Sequence, residues 1–200
     1  MSKRVYISAD YAPNDGDQSV IEELQRWGRD NLHRVDYCDT AIVAKGSVAN
    51  KLDCRPCDLK DEFNKQINAS SAVIFVIGDK TKDRTAGSTC RRQGMGAFCS
   101  CTPYKQNANG LSYCKVVNIP TSYYDVNPVN NYSYLRHEFE QAKLKGKSII
   151  IFYNSFYKQT GWLPLYMSGY SDKAQPFWIY SPWGNKVGNY PFLKKALGYE

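Results

Sequence analysis

The stretch Ala72-Val73-Ile74-Phe75-Val76-Ile77-Gly78 decides the fold class, because it is an unbroken apolar run that ends at a glycine. A strand with one face in solvent alternates apolar and polar residues, whereas a central parallel strand is covered on both faces and stays apolar throughout. A second run, Ser148-Ile149-Ile150-Ile151-Phe152-Tyr153, has the same character. The two runs predict a parallel sheet with helices on both sides.

Further strands are predicted over residues 4–9, 34–38 and 177–180, and helical segments separate most of them. A short helix over 191–197 closes the chain. This order, βαβαβ–αβ–βα, is typical of an open parallel α/β sheet flanked by helices. We therefore predict one α/β domain over residues 1–200, which binds its ligand at the carboxyl ends of the strands.

The first two helices are predicted from their caps and from the spacing of their apolar residues. Ser19 opens a capping box with Glu22, and Asp58 can cap the second helix. The apolar stripes are Val20, Leu24 and Trp27 in the first helix, and Leu59, Phe63 and Ile67 in the second. Both stripes have helical spacing, so each predicts a helix that packs on the sheet.

A third helix carries a carboxylate on its buried face. Its apolar stripe, at i, i+4 and i+7, consists of Leu135, Phe139 and Ala142. Glu138 falls inside that stripe, where a charge is costly unless a partner or a cavity receives it. Glu138 is therefore the first candidate for chemistry. The alternative is a structural carboxylate that pairs with Arg136, His137 or a backbone amide.

Polar residues also stand where the predicted parallel strands end. Ser8 and Asp10 lie at the end of the first strand, Asp39 follows the second, and Gly78 follows the third. The carboxyl ends of parallel strands meet at one edge of the sheet, where ligands bind. We expect Ser8, Asp10 and Asp39 to contribute to substrate binding, although residues at these positions also often cap the next helix.

Three segments, in this order, resemble a TIR-like domain of the small bacterial group that includes the sensor subunit of the Thoeris antiphage defence system. They are Lys3-Arg4-Val5-Tyr6-Ile7-Ser8, the block Ile67–Gly78, and Tyr134-x-x-x-Glu138 followed by Gly146-Lys147-x-Ile149-Ile150. The resemblance covers residues 3–83 and 132–154, about half of the chain. It implies a flavodoxin-like, TIR-like sheet.

The resemblance also implies an activity. TIR domains of this kind cleave NAD at the nicotinamide–ribose bond with a glutamate on the third helix, the position that Glu138 occupies. Tyr134 stands where the family usually has tryptophan, and it is implied to contact the substrate. NAD would be the substrate, and the product a cyclic or conjugated ADP-ribose nucleotide that activates an effector. A phage-derived trigger protein and a homo-oligomer are further implied partners.

Two other functions stay open from the sequence. One is a non-catalytic TIR-type interaction module, which would assemble with partners through its surface. The other is an enzyme similar to nucleoside deoxyribosyltransferases, which also place a glutamate in an open α/β pocket but do not use NAD. A scaffold has no need of a carboxylate on a buried helix face, so Glu138 favours an enzyme.

Compact members of the family lack the long insertion over residues 84–131, which we expect to be a lid or a partner-binding element. It contains Cys99 and Cys101, and the loop before the second helix contains Cys54 and Cys57. Cys-x-x-Cys together with Cys-x-Cys could hold a structural zinc ion. The alternative is a set of buried free thiols, the common state of intracellular cysteines.

Composition restricts the partners and the location. The formal net charge is +7, which suits a small anionic ligand. Lysine and arginine are scattered along the chain, whereas a nucleic-acid footprint is clustered, so we expect no specific nucleic-acid binding. No apolar stretch approaches the roughly 20 residues of a membrane span, and no apolar leader follows Met1. We therefore expect a cytoplasmic protein that does not bind membranes.

Overall fold

The computed structural model describes residues 3–9, 17–29, 35–39, 55–83, 104–106, 112–114 and 134–199. The strands are β1 (Lys3–Ala9), β2 (Val35–Asp39), β3 (Ala72–Ile77), β4 (Tyr104–Gln106), β5 (Ser112–Cys114), β6 (Ser148–Tyr153), β7 (Gln175–Pro176), β8 (Trp178–Tyr180) and β9 (Lys186–Gly188). The helices are α1 (Asp17–Trp27), α2 (Arg55–Ala69), α3 (Tyr134–Leu144) and α4 (Tyr190–Ala196). Three short 3-10 helices cover residues 81–83, 160–162 and 165–170.

A five-stranded parallel sheet in the order β2-β1-β3-β6-β7 forms the centre, so the predicted α/β class is confirmed. Val5 of β1 pairs with Tyr37 of β2 on one side and with Ala72 of β3 on the other. All six residues of β3 are buried, as its unbroken apolar run predicts. The strand is covered on both faces.

Two apolar clusters fill the two faces of the sheet. On one face, Val5 and Ile7 of β1 pack with residues of α1 and α4 such as Leu24 and Leu193. On the other face, Tyr6 packs with residues of α2 and α3: Phe63, Ile67, Leu135 and Phe139. Successive residues of a strand point to opposite faces, so β1 contributes to both clusters.

The predicted starts of the first two helices are wrong. Helix α1 begins at Asp17, two residues before Ser19, because an acidic residue is favourable in a first helical turn and Asp17 is also held by tertiary contacts described below. Helix α2 begins at Arg55, three residues before Asp58. Pro56 stands in its first turn, where the missing N–H needs no partner.

The predicted apolar stripes of these helices are confirmed where their side chains are described. Val20, Leu24, Phe63 and Ile67 are buried, and Trp27 packs against the cluster while partly exposed. The side chain of Leu59 lies outside the described residues. The spacing of apolar residues thus predicts the inward face of a helix even where the predicted first residue of that helix is wrong.

The strand predicted over 177–180 does not join the central sheet. Strand β8 pairs instead with β9 in an antiparallel hairpin, and β7 is the fifth strand of the sheet. Gly184, with a φ of +77°, lies in the turn between β8 and β9 and lets the chain reverse. Pro176 of β7 has no N–H to donate, which suits a strand at the edge.

Within residues 84–131, the described part is one antiparallel pair of short strands, β4 and β5. The rest of this segment lies outside the described residues, so its role as a lid or partner-binding element stays a prediction. Among the helices that are described, none has the length and apolarity needed to cross a bilayer.

Candidate functional site

Glu138 lies in the second turn of α3 and is 1% exposed, so the predicted burial of this carboxylate is confirmed. The Tyr6 hydroxyl donates a hydrogen bond of 2.6 Å to Oε1 of Glu138. The Ser8 hydroxyl donates to Oε2. Each carboxylate oxygen thus accepts a hydrogen bond from a side chain of β1.

The alternation of side chains along β1 brings these two donors together. Tyr6 and Ser8 are two residues apart, so they point to the same face of the sheet, where α3 packs. Both are fully buried, because β1 is flanked by β2 and β3 and covered by helices. Their hydroxyls therefore face the inward side of α3, where Glu138 replaces an apolar residue.

The packing of α2 against α3 fixes where Glu138 points. Three contacts join the helices at successive turns: the Tyr134 ring meets Phe63 edge-on with centroids 5.6 Å apart, His137 Nε2 lies 2.9 Å from Asn64 Oδ1, and Gln141 Nε2 donates to Asn68 Oδ1 at 2.8 Å. Both helices run in the same direction, so the contacts advance together along the two chains. Rotation of α3 that would expose Glu138 would break all three contacts.

The alternative from the sequence is that Glu138 pairs with Arg136, His137 or a backbone amide. The structure shows hydroxyl partners for the carboxylate, while the His137 ring reaches Asn64 and the Arg136 guanidinium lies 5.5 Å from the centre of the Tyr166 ring. Two hydroxyl donors from one strand fix the orientation of the carboxyl group. In a site of low dielectric, a carboxylate charge acts strongly on a cation placed next to it.

The other predicted binding residues are placed as follows. Ser8 touches Glu138 directly, and Tyr134 is half-buried one helical turn before it. Asp39 is the last residue of β2 and pairs with Ile7 of β1. The prediction that Asp39 follows the strand is therefore wrong. The side chain of Asp39 and the whole of Asp10 lie outside the described residues.

The predicted zinc ligands also lie largely outside the described ranges. This holds for Cys54, Cys99 and Cys101, and for the side chain of Cys57. Cys57 itself belongs to α2, which corrects its predicted place in the preceding loop, because that helix begins at Arg55. Among the described residues, no three His, Cys, Asp or Glu side chains are grouped closely enough to hold a metal ion.

A second buried carboxylate, Asp17, was missed from the sequence. It is 2% exposed at the start of α1, where Asn154 Nδ2 donates to its Oδ1 at 3.0 Å. Trp178 Nε1 donates to Asn154 Oδ1 at 3.0 Å, and Gly78 lies against Asp17. Asn154 directly follows β6. Applying the strand-end rule to β6, as it was applied to the first three strands, would have drawn attention to this cluster.

No known family model matches the chain, and no curated protein matches it at a significant level.

Proposed function

We propose that this protein is a TIR-like enzyme that cleaves the nicotinamide–ribose bond of NAD, with Glu138 as its catalytic residue. The observation that carries the proposal is the buried Glu138 carboxylate, held in one orientation by the hydroxyls of Tyr6 and Ser8. The sheet order supports the finer fold assignment. Numbered within the parallel sheet alone, the strands follow 2-1-3-4-5, the order of flavodoxin-like folds.

One carboxylate is enough for this reaction. Glycosidases usually need a second carboxyl group to protonate a poor leaving group. In NAD, the bond between ribose C1′ and the pyridinium nitrogen breaks with its electron pair going to that nitrogen, so nicotinamide leaves as a neutral molecule. The ribose is left as an oxocarbenium-like cation. Glu138 would stabilise that cation and orient the ribose hydroxyls.

The fate of the cation defines the product. Attack on C1′ by water gives ADP-ribose, whereas attack by a hydroxyl of the same or another molecule gives a cyclic or conjugated ADP-ribose. In each case the attacking oxygen loses one proton. We propose the second outcome, with the product acting as a messenger for an effector in antiphage immunity. Tyr134 would contribute a ring face for nicotinamide or ribose at the edge of the site.

The burial of Glu138 supports control by a trigger. At 1% exposure, the carboxylate cannot touch a substrate in this conformation, so whatever covers it has to move. A phage-derived protein that displaces the cover would convert a silent sensor into an enzyme. The segment 84–131 is the part of the chain that we propose as lid or partner-binding element in this step.

The test is incubation of the protein with NAD, with and without lysate from phage-infected cells, followed by mass spectrometry of the products. Free nicotinamide together with a cyclic or conjugated ADP-ribose is expected from the triggered protein. Glu138→Gln should give neither product. The matched control is Glu140→Gln, which removes an exposed carboxylate on the same helix that pairs loosely with Lys143 at 3.8 Å.

A second candidate is a non-catalytic TIR-type interaction module. The observation that favours it is that both oxygens of Glu138 already accept hydrogen bonds from buried hydroxyls, which also suits a purely structural carboxylate. An interaction module predicts no NAD turnover under any trigger, together with partner binding that survives in a folded Glu138→Gln protein. Turnover that depends on Glu138 rejects it.

A further inference from the structure

A pocket of about 500 Å³ opens beside α4. Its lining residues are Tyr190, Pro191, Lys194, Lys195 and Tyr199. Helix α4 covers the face of the sheet to which Val5 and Ile7 point, whereas Glu138 lies on the opposite face with Tyr6. The pocket is therefore separate from the candidate site described above.

The pocket is also at the other end of β1. Lys3, the first residue of the strand, donates to the Leu197 carbonyl and lies 4.8 Å from the centre of the Tyr199 ring. Ser8, which touches Glu138, is five residues further along the strand. At about 3.3 Å per residue, this separates the two regions by roughly 17 Å along β1.

The charge of the pocket is positive. Lys194 and Lys195 belong to its lining, and Lys3 adjoins it through Tyr199. Within the part of the chain that the structure describes, no carboxylate forms an ion pair with any of these three lysines. Lys194 and Lys195 are neighbours in sequence and both line the pocket, so each ammonium group can donate to a phosphate there.

The walls of the pocket are aromatic. The rings of Tyr190 and Tyr199 form part of the lining, and Lys194 Nζ lies 5.5 Å from the centre of the Tyr190 ring. Tyrosine rings bind planar groups by stacking, and nucleobases stack on them regardless of sequence. The pocket thus combines cations that suit a phosphate with aromatic rings that suit a base.

A buried hydroxyl lies next to these walls. Tyr37 is 8% exposed, and its hydroxyl has no hydrogen-bond partner among the described residues. Burial raises the pKa of Tyr37, and the nearby phenols of Tyr190 and Tyr199 raise it further, so the group stays protonated at neutral pH. A buried donor without an acceptor is unfavourable, and because Tyr37 is not part of the lining, its hydroxyl only adds a polar group behind the rings of Tyr190 and Tyr199.

We propose that this pocket binds a nucleotide, with the phosphate on Lys194 and Lys195 and the base against the rings of Tyr190 and Tyr199. Its volume falls within the range of small-molecule sites, about 300–1,000 Å³. The site goes beyond NAD cleavage and does not depend on it. It would let the protein sense a nucleotide on the face of the sheet opposite Glu138.

The experiment is calorimetric titration of the full chain with AMP, and with adenosine and inorganic phosphate as separate probes. AMP is expected to bind more tightly than either probe alone, since each supplies half of the contacts. The double variant Lys194→Gln/Lys195→Gln should weaken AMP binding by about tenfold or more, which corresponds to about 1.4 kcal/mol. Lys145→Gln/Lys173→Gln is the matched control, because it removes the same charge from exposed lysines elsewhere and should change the affinity by less than about twofold.

Several results would overturn the proposal. They are absence of AMP binding to the wild-type chain, AMP affinity unchanged in the Lys194→Gln/Lys195→Gln protein, or phosphate binding as tightly as AMP. Loss of AMP binding in Glu138→Gln would place the nucleotide in the other site and would also overturn it. Far-UV circular dichroism on each variant confirms that the fold is retained. None of these outcomes depends on NAD turnover.

Discussion

Tyr6 and Glu138 are 132 positions apart in the chain, yet a 2.6 Å hydrogen bond from the tyrosine hydroxyl to Oε1 joins them between β1 and α3. The bond ties the inward carboxylate of the helix to the centre of the sheet. Ser8 supplies the second donor from the same strand. The position of Glu138 is therefore set by the strand register as well as by its own helix.

Removing the Tyr6 hydroxyl should destabilise the protein. Tyr6→Phe leaves one carboxylate oxygen without this donor in a buried place, at an expected cost of about 1–3 kcal/mol in the free energy of unfolding. The control is Tyr37→Phe, which removes another buried hydroxyl that has no partner among the described residues. That change should be neutral or slightly stabilising. Urea denaturation of both variants measures the difference, and equal effects would contradict the assigned bond.

Substitutions of Glu138 should differ in their effect on stability. Glu138→Ala leaves the Tyr6 and Ser8 hydroxyls without their acceptor and opens a cavity, so we expect a loss of about 2–4 kcal/mol. Glu138→Gln keeps the shape and one carbonyl acceptor, and should cost less. The comparison is made by chemical denaturation. A fully stable Glu138→Ala protein would show that the hydroxyl contacts contribute nothing.

Gly78 should not tolerate a side chain. A Cβ atom at this position would lie 2.9 Å from Oδ1 of Asp17, a buried carboxylate that Asn154 holds in place. We expect Gly78→Ala to cost about 1–3 kcal/mol. Gly169→Ala is the control, because a Cβ there meets no atom within 4 Å. Thermal unfolding that shows equal midpoints for the two variants would contradict the close approach of Gly78 and Asp17.

Stability should fall in alkaline solution. Burial raises the pKa of Tyr37, so the folded state binds this proton more tightly than the unfolded state does. That stabilisation is fully present below the ordinary tyrosine pKa of about 10 and is lost as the pH rises toward the folded value. Burial raises the pKa of Tyr153 as well, which adds to the effect.

The measurement is the free energy of unfolding between about pH 8 and pH 11. Tyr37→Phe should reduce the decline, and Tyr157→Phe, at a residue that is 73% exposed, is the control. A decline that is the same in all three proteins would show that Tyr37 does not cause it.

Much of the fold could be predicted from the sequence because its signals are local. The unbroken apolar run of β3 predicted a strand covered on both faces, and the spacing of Leu135, Phe139 and Ala142 predicted the inward face of α3. The burial of Glu138 followed from that spacing alone. Each of these inferences needed only the period of one element.

What could not be predicted depends on contacts between distant segments. To predict the hydroxyl partners of Glu138, one would need to know which residues of β1 lie beneath α3. The start of α1 depends on Asp17, which Asn154 holds from beyond β6. Strand β8 pairs with β9 and not with the central sheet, and the turn between them contains Gly184 at positive φ. Helical and strand periodicity contain no information on these pairings.

The catalytic role of Glu138 is tested most directly by the initial rate of nicotinamide release from NAD by the protein mixed with lysate from phage-infected cells. The wild-type protein and Glu140→Gln are expected to release nicotinamide at similar rates. Folded Glu138→Gln protein is expected to lose about a hundredfold or more of this rate, the scale of removing a group that stabilises a developing charge. Equal rates in Glu138→Gln and wild type, or no release from any triggered protein, would contradict that role.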